Sequence, residues 1–273
     1  MQKFIAGLAL VAVAQADGKC RALVLSGGAN NGAWEAGVAW GLVHYGNPED
    51  YTWDTVSGVS AGSINTGAFA TWEKGSEVAL TEYLSDQWAH MTNDRLYKLR
   101  SKNPYDLLFK EASILDDTAA IGTLNEIYGY TGGEIKRHFA VSAVDVNTGE
   151  YFVMNDKNTE FKDLAQSSMS SSSIPVVFPP QHLKGHILMD GGTVWNDNLD
   201  SAVQQCMEIV DDYSDVIVDI AICGYSTPPD TEVEKNAIKD YLMARNIRDY
   251  YINSNSLWEQ AKAYPGIDIR YYF

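Results

Sequence analysis

Arg21-Ala22-Leu23-Val24-Leu25-Ser26 runs into Gly27-Gly28-Ala29-Asn30-Asn31-Gly32, and further on Thr52-Trp53-Asp54-Thr55-Val56-Ser57 runs into Gly58-Val59-Ser60-Ala61-Gly62. Each run is short and β-prone, and each breaks into a glycine-bearing turn. Between them, residues 33–45 form a helix-forming segment closed by Gly46 and Pro48, and an Ala-rich segment follows Gly62 toward Trp72. Strand, loop, helix, strand, turn, helix is the order that builds a mostly parallel sheet with helices on both faces. The expected fold class is therefore a three-layer α/β/α domain.

Downstream, residues 76–90 and 119–128 read as helices, and 137–146 and 150–154 as strands joined through Asn147-Thr148-Gly149. A polar helix is expected over 162–170, a short strand over 186–189, a helix over 197–210 and an apolar strand over 216–223. A long helical pattern covers 232–264. The chain stops on 267–273, a β-prone run with no polar tail, which is how a fragment of a longer chain would end. No internal repeat is present, and the only compositionally biased stretch is Ser167 to Ser173.

With 273 residues and 45% hydrophobic content, the chain can bury the core of one domain, expected over 17–273. A formal net charge of -16, with no interrupting cluster of Lys or Arg, repels phosphate backbones and argues against a nucleic-acid partner. The same field disfavours anionic membranes. Transient contact with a membrane surface would fall to apolar and aromatic side chains, of which 16 Tyr, 8 Phe and 7 Trp are available.

Lys3, the apolar run 4–13 and the small-x-small Ala14-Gln15-Ala16 read together as a signal peptide over residues 1–16, which implies secretion or residence in the secretory lumen. A buried N-terminal helix or strand is the alternative. Polar Asp17-Gly18-Lys19 ahead of Cys20 does not suit a lipidation site. Three cysteines permit at most one intramolecular disulfide, and Cys206 and Cys223, in apolar-patterned segments, are expected as buried free thiols. No two cysteines have ligand spacing and the five histidines are scattered, so neither a metal nor another cofactor is expected.

Three elements carry chemistry. Gly58-Val59-Ser60-Ala61-Gly62 satisfies G-x-S-x-G, in which small residues allow a strained strand-to-helix turn that thrusts a serine Oγ out of the sheet. The helix start just after it aims backbone N–H groups at a developing oxyanion. The loop from Ser26 to Gly32 lacks the signature of either common phosphate-binding loop and suits an oxyanion loop beside that serine. Asp190-Gly191-Gly192 follows the strand at 186–189, at the carboxyl end of a strand, where ligand sites of open α/β sheets gather. All five histidines, His44, His90, His138, His182 and His186, precede Asp190, so the Ser, Asp, His order of an α/β-hydrolase triad is missing. His182 and His186 read as surface or strand-end residues. Trp34, Trp40, Trp53 and Trp72 are candidates for an acyl groove or for core packing.

Taken together over roughly residues 21–225, these elements resemble the patatin-like phospholipases. Ile174-Pro175-Val176-Val177-Phe178-Pro179-Pro180 also looks like the family's segment before its acid. The resemblance implies lipid acyl-ester hydrolysis by a dyad without histidine, with Ser60 as nucleophile and Asp190 as base. It implies an oxyanion hole from Gly27, Gly28 and Ala61, supported by motif glycines Gly32, Gly58, Gly62, Gly191 and Gly192. Three positions depart from the family pattern: Ala29 replaces a glycine, Asn31 a cation and Ser26 an acidic residue. Two other readings stand beside this one, a catalytically weak lipid-binding or storage protein of the same fold and an α/β-hydrolase esterase with a histidine base.

Overall fold

The computed structural model describes residues 17–101, 103–223 and 236–273. The signal-peptide reading of residues 1–16 and the start of the last predicted helix lie outside the described residues. In chain order the elements are β1 (Cys20–Leu25), α1 (Gly32–Tyr45), β2 (Thr55–Gly58), α2 (Ala61–Ala70), α3 (Glu77–Ala89), α4 (Asn93–Leu96), β3 (Lys98–Leu99), α5 (Pro104–Phe109), β4 (Leu115–Asp116) and α6 (Thr118–Gly129). They continue with β5 (His138–Asp145), β6 (Tyr151–Asn155), α7 (Phe161–Ser171), β7 (Gln181–Leu183), β8 (His186–Asp190), α8 (Leu199–Cys206), β9 (Val216–Ala221), α9 (Ala237–Ala263) and β10 (Asp268–Tyr272).

Strands β10, β9, β1, β2 and β5 lie side by side and parallel. The hairpin strand β6 is antiparallel to β5, as are β8 to β5 and β7 to β8, which makes the sheet mixed at one side. Helices cover both faces. Along β1, Leu23 and Leu25 enter one apolar cluster with α1, α2, α3, α6 and α7, while Cys20, Ala22 and Val24 enter another with α8, β9 and Leu257 of α9. A strand buried on both faces needs apolar residues at successive positions, which is why Ala22-Leu23-Val24-Leu25 shows no alternation.

One register positions the site. β2 ends at Gly58 opposite Val141 of β5, and β8, running the other way, ends at Asp190 opposite Ala143 of β5. The carboxyl ends of two strands distant in sequence therefore meet two residues apart along β5, which brings Ser60 to Asp190 across 130 residues of chain.

The predicted elements within the described residues fall where the sequence puts them, whereas α4, β3, α5, β4 and β7 lie in stretches where the sequence predicts no element, and three further differences stand out. The helix expected over 197–210 is held to Leu199–Cys206, capped by the Asn198 side chain accepting from Ser201 N–H at 3.0 Å. The helix expected to be polar, α7, buries its serines. Cys206 is not a free thiol, because it is bonded to Cys20 across 186 residues of sequence, and Cys223 alone is free, at the half-buried edge of the site. The terminal β-prone run pairs with β9 as β10.

Candidate active site

Ser60 stands between β2 and α2 with φ 51 and ψ -120, backbone angles a non-glycine residue rarely adopts. The sequence permits that turn because its flanking glycines leave room. A Cβ on Gly62 would lie 2.4 Å from the Leu25 carbonyl oxygen, and one on Gly58 would lie 2.3 Å from that of Gly62. The turn is clamped by the serine-rich end of α7. Ser171 Oγ accepts from Ser60 N–H at 2.9 Å and donates to the Ser142 carbonyl at 2.6 Å, while the hydroxyls of Ser63 and Ser172 donate to the Ser60 carbonyl at 2.6 and 2.9 Å. Ser171 and Ser172 were visible in the sequence only as part of a biased run, and Ser63 carried no signal. Their role follows from helix α7 packing on the turn.

Ser60 Oγ donates to Asp190 Oδ2 at 2.7 Å, and both residues are buried to 5% exposure. The other carboxylate oxygen of Asp190 accepts from the Gly192 amide at 2.7 Å, which fixes the carboxylate plane. Gly191 lies against the Ser142 carbonyl and Gly192 against Asn196, each too close for a side chain. The structure thus brings together the predicted serine, acid and supporting glycines.

The oxyanion loop needs one correction. The Gly27 amide donates to the Asn196 carbonyl at 3.0 Å, and Asn196 Nδ2 returns a bond to the Gly27 carbonyl at 2.8 Å. Gly27 is therefore a fixed strut, and its N–H is not offered to a ligand. Among the described residues the amides of Gly28, Ala29 and Ala61 donate to no protein acceptor, so they are the donors the loop presents. Ala29 adopts φ 51, a left-handed conformation costing an alanine about 1 kcal/mol, and the loop accepts that cost in place of the expected glycine. Gly28 has no room for a Cβ because Cys223 presses on it, and Gly32 packs against the Trp88 ring. Asn196 carried no motif signal. Only its position after the Asp190 turn hinted at a role.

Behind this loop Glu35 is fully buried, taking a bond from Asn65 Nδ2 at 3.2 Å, while Trp88 Nε1 donates to Asn65 Oδ1 at 2.7 Å. Burial holds the Glu35 carboxyl well above the usual carboxylate range, with the Cys223 thiol and Asn65 opposing that shift. Burial and the neighbouring Glu35 carboxyl push the Cys223 thiol up in turn, so it is a poor nucleophile.

Two cavities meet at Ser60. One, of about 590 Å³, is lined by Ala61, Ile64, Trp88, Met91, Leu96, Leu124, Met169, Val177 and Phe178 among others, and is overwhelmingly apolar. The second, of about 570 Å³, runs past Asp190, Thr193 and Asn196 to Tyr241, Asn246 and Arg248 of α9. Of the tryptophans considered for an acyl groove, Trp53 is buried in the core, and Trp34, Trp40 and Trp72 lie outside the apolar cavity. Trp88 lines it instead. Among the described residues no histidine lines either cavity. His182 is exposed on β7, and His186 at the start of β8 bonds Asp145.

A model of the patatin-like phospholipases matches residues 23–203, a span that contains the Gly-rich loop, the Ser60 turn and the Asp190 turn. No curated protein matches the chain. Among solved structures, the crystal structure of VipD from Legionella pneumophila is similar over 77% of this chain at 14% identity and a TM-score of 0.37. This chain spans 51% of that one. With two thirds of its residues inside the family's model and all three motifs in place, the chain belongs to the patatin-like phospholipase family, whose members are lipid acyl hydrolases.

Proposed function

We propose that this chain cleaves acyl esters of lipids through a Ser60–Asp190 dyad. The observation that carries the reading is the 2.7 Å bond from Ser60 Oγ to Asp190 Oδ2 at the meeting point of an apolar and a polar cavity. The acyl chain occupies the apolar cavity and the alcohol half of the ester the polar one. As Ser60 Oγ attacks the ester carbonyl, its proton passes to Asp190 Oδ2, and the carbonyl oxygen becomes an oxyanion facing the amides of Gly28, Ala29 and Ala61. Collapse breaks the bond to the alcohol oxygen, which takes the proton from Asp190 and leaves. A water then gives its proton to Asp190 and attacks the acyl-serine. The second collapse frees the carboxylic acid and returns the proton to Ser60 Oγ.

The backbone at Ser60 supports this reading, since strain at φ 51 is tolerated here by three hydroxyl clamps and persists where it sets a reacting atom. The histidine-base alternative loses ground because the partner of Ser60 Oγ is a carboxylate. The Cys20–Cys206 disulfide and the composition of residues 1–16 support secretion, an oxidising route on which a disulfide persists. Transient contact with a membrane surface is supported by exposed Tyr105, Phe109 and Val176, the last beside Val177 of the apolar cavity.

The test is labelling of the purified protein by a fluorophosphonate. Wild type is expected to label at one serine, Ser60→Ala not at all, and Asp190→Asn at a rate lower by roughly 10²- to 10⁴-fold. Absence of labelling in a folded wild type refutes the dyad and favours a lipid-binding or storage protein of the same fold.

A further inference from the structure

The loop from Ser26 to Gly32 carries no ionisable side chain, and the first one after it is Glu35, fully buried in the opening turn of α1. Its Oε2 takes one bond, from Asn65 Nδ2 at 3.2 Å, and its Oε1 takes none from the described residues although solvent does not reach it. Asn65 ties this carboxyl to the loop, because the same amide nitrogen donates to the Gly32 carbonyl at 2.9 Å. Cys223 ties it from the other side. Its thiol lies beside the Glu35 carboxyl and donates to the Asn31 carbonyl at 3.4 Å, its amide donates to Ser26 Oγ at 2.7 Å, and its Cβ fills the space a side chain on Gly28 would need. One side chain therefore separates the Glu35 carboxyl from the part of the loop that faces an oxyanion.

Resting on the dyad reading above, we propose that Glu35 is a positioning residue of the oxyanion loop: as a neutral acid it leaves the Gly28 and Ala29 amides free to stabilise the oxyanion, and as a carboxylate it opposes that charge and halts hydrolysis on the alkaline side. The neutral form is the one this site suits. A buried carboxylate with one amide donor loses most of its hydration, and burial accordingly holds the Glu35 carboxyl well above the usual carboxylate range, against Cys223, Asn65 and the Ser26 backbone. The described groups that face it are Asn65 of α2, Ser26 just past β1 and Cys223 after β9, with Trp88 of α3 behind Asn65; of these only Cys223 titrates. Burial and the Glu35 carboxyl push that thiol up, so it brings no charge near neutral pH. Amides that receive an oxyanion act in a site of low dielectric, where a like charge one side chain away changes the rate by roughly tenfold to a hundredfold.

The experiment follows kcat and KM for p-nitrophenyl butyrate in wild type, Glu35→Gln and Cys223→Ser, with Ser60→Ala as background, over the pH range in which near-ultraviolet circular dichroism shows the protein folded. Wild-type kcat is expected to fall by roughly tenfold to a hundredfold on the alkaline side at nearly constant KM, Glu35→Gln to lose that fall, and Cys223→Ser to retain it. Infrared spectra of wild type alone give a second reading, which stands even where Glu35→Gln does not fold. A carboxylic-acid carbonyl band is expected just above neutral pH, where Asp197, pushed up to about 6, has already ionised, and it should fade along the same alkaline limb. The proposal is overturned by a limb that survives in Glu35→Gln or leaves with Cys223→Ser, by a wild type fully active until it unfolds, or by the absence of the acid band. If Ser60→Ala hydrolyses the ester as wild type does, the dyad reading has failed and the proposal falls with it; an ester turnover silenced by Ser60→Ala but indifferent to Glu35→Gln at every pH overturns the proposal alone.

Discussion

Asp197 offers a stability measurement whose sign and size follow from its surroundings. It is buried to 1% exposure between the Asp190 turn and α9, accepting from Gln260 Nε2 at 2.9 Å and Ser256 Oγ at 3.2 Å. Burial pushes its carboxyl up from 3.8 to about 6, with the bonds from Ser256 and Gln260 opposing. Because the folded pKa is raised, the native state binds more protons than the unfolded chain between about pH 4 and 6, so stability falls as pH rises through that window. At about 1.4 kcal/mol per unit, the raised pKa of Asp197 costs the fold about 1.6 kcal/mol at pH 5, where its carboxyl is still mostly protonated, and about 3 kcal/mol at pH 8, where it is ionised. Asp197→Asn removes the titration and keeps a polar partner for α9, at the loss of about 1 kcal/mol of charge-assisted bonding. The variant is predicted to be more stable than wild type by about 2 kcal/mol at pH 8 and by less than about 1 kcal/mol at pH 5. Urea unfolding at both pH values, with the slope m checked for constancy, measures this. A stability difference that does not grow between pH 5 and pH 8, or a variant less stable at pH 8, would refute the reasoning.

Other outcomes follow from the same contacts. Gly62→Ala places a methyl 2.4 Å from the Leu25 carbonyl oxygen and should cost about 2 kcal/mol or more and abolish fluorophosphonate labelling. Gly37→Ala, on an exposed face of α1 with open space around it, should stabilise by about 0.5 kcal/mol or more and leave labelling intact, a contrast read by paired thermal melts. Glu35 has a raised folded pKa, so its contribution falls as pH rises from the usual carboxylate range through that value. Glu35→Gln is expected to flatten this alkaline loss of stability in melts from pH 5 to 9, and a loss of the same slope in the variant would assign it elsewhere. Cys206→Ser should destabilise by roughly 2–5 kcal/mol, because it releases a bridge spanning 186 residues, while the folded variant still labels at Ser60. Equal urea midpoints for variant and wild type would show that the bridge contributes nothing.

By itself the sequence determined the main strands and helices of this protein and singled out Ser60 and Asp190 as candidates for its chemistry. An uninterrupted apolar run such as Ala22 to Leu25, ending in a Gly-Gly turn, suits a strand buried on both faces. A G-x-S-x-G after one strand and before an Ala-rich helix can only be satisfied by a strained turn, because its glycines are the residues that fit beneath backbone carbonyls. Tertiary structure decided everything that depends on which surfaces meet. The run Ser167 to Ser173 is polar by composition yet buried, because Ser167, Ser170 and Ser173 donate to carbonyls one turn back in α7 while Ser168, Ser171 and Ser172 bond α2, β5 and the Ser60 turn, and no local pattern encodes those distant partners. Gly27 lost its expected donor role to Asn196, and Cys206 of α8 found Cys20 of β1, for the same reason: both pairings join segments distant in sequence that only the assembled fold brings together. The meeting of Ser60 with Asp190 rests on β2 and β8 sharing one edge of β5 from opposite directions, a register that nonlocal backbone hydrogen bonds fix only when the sheet is assembled.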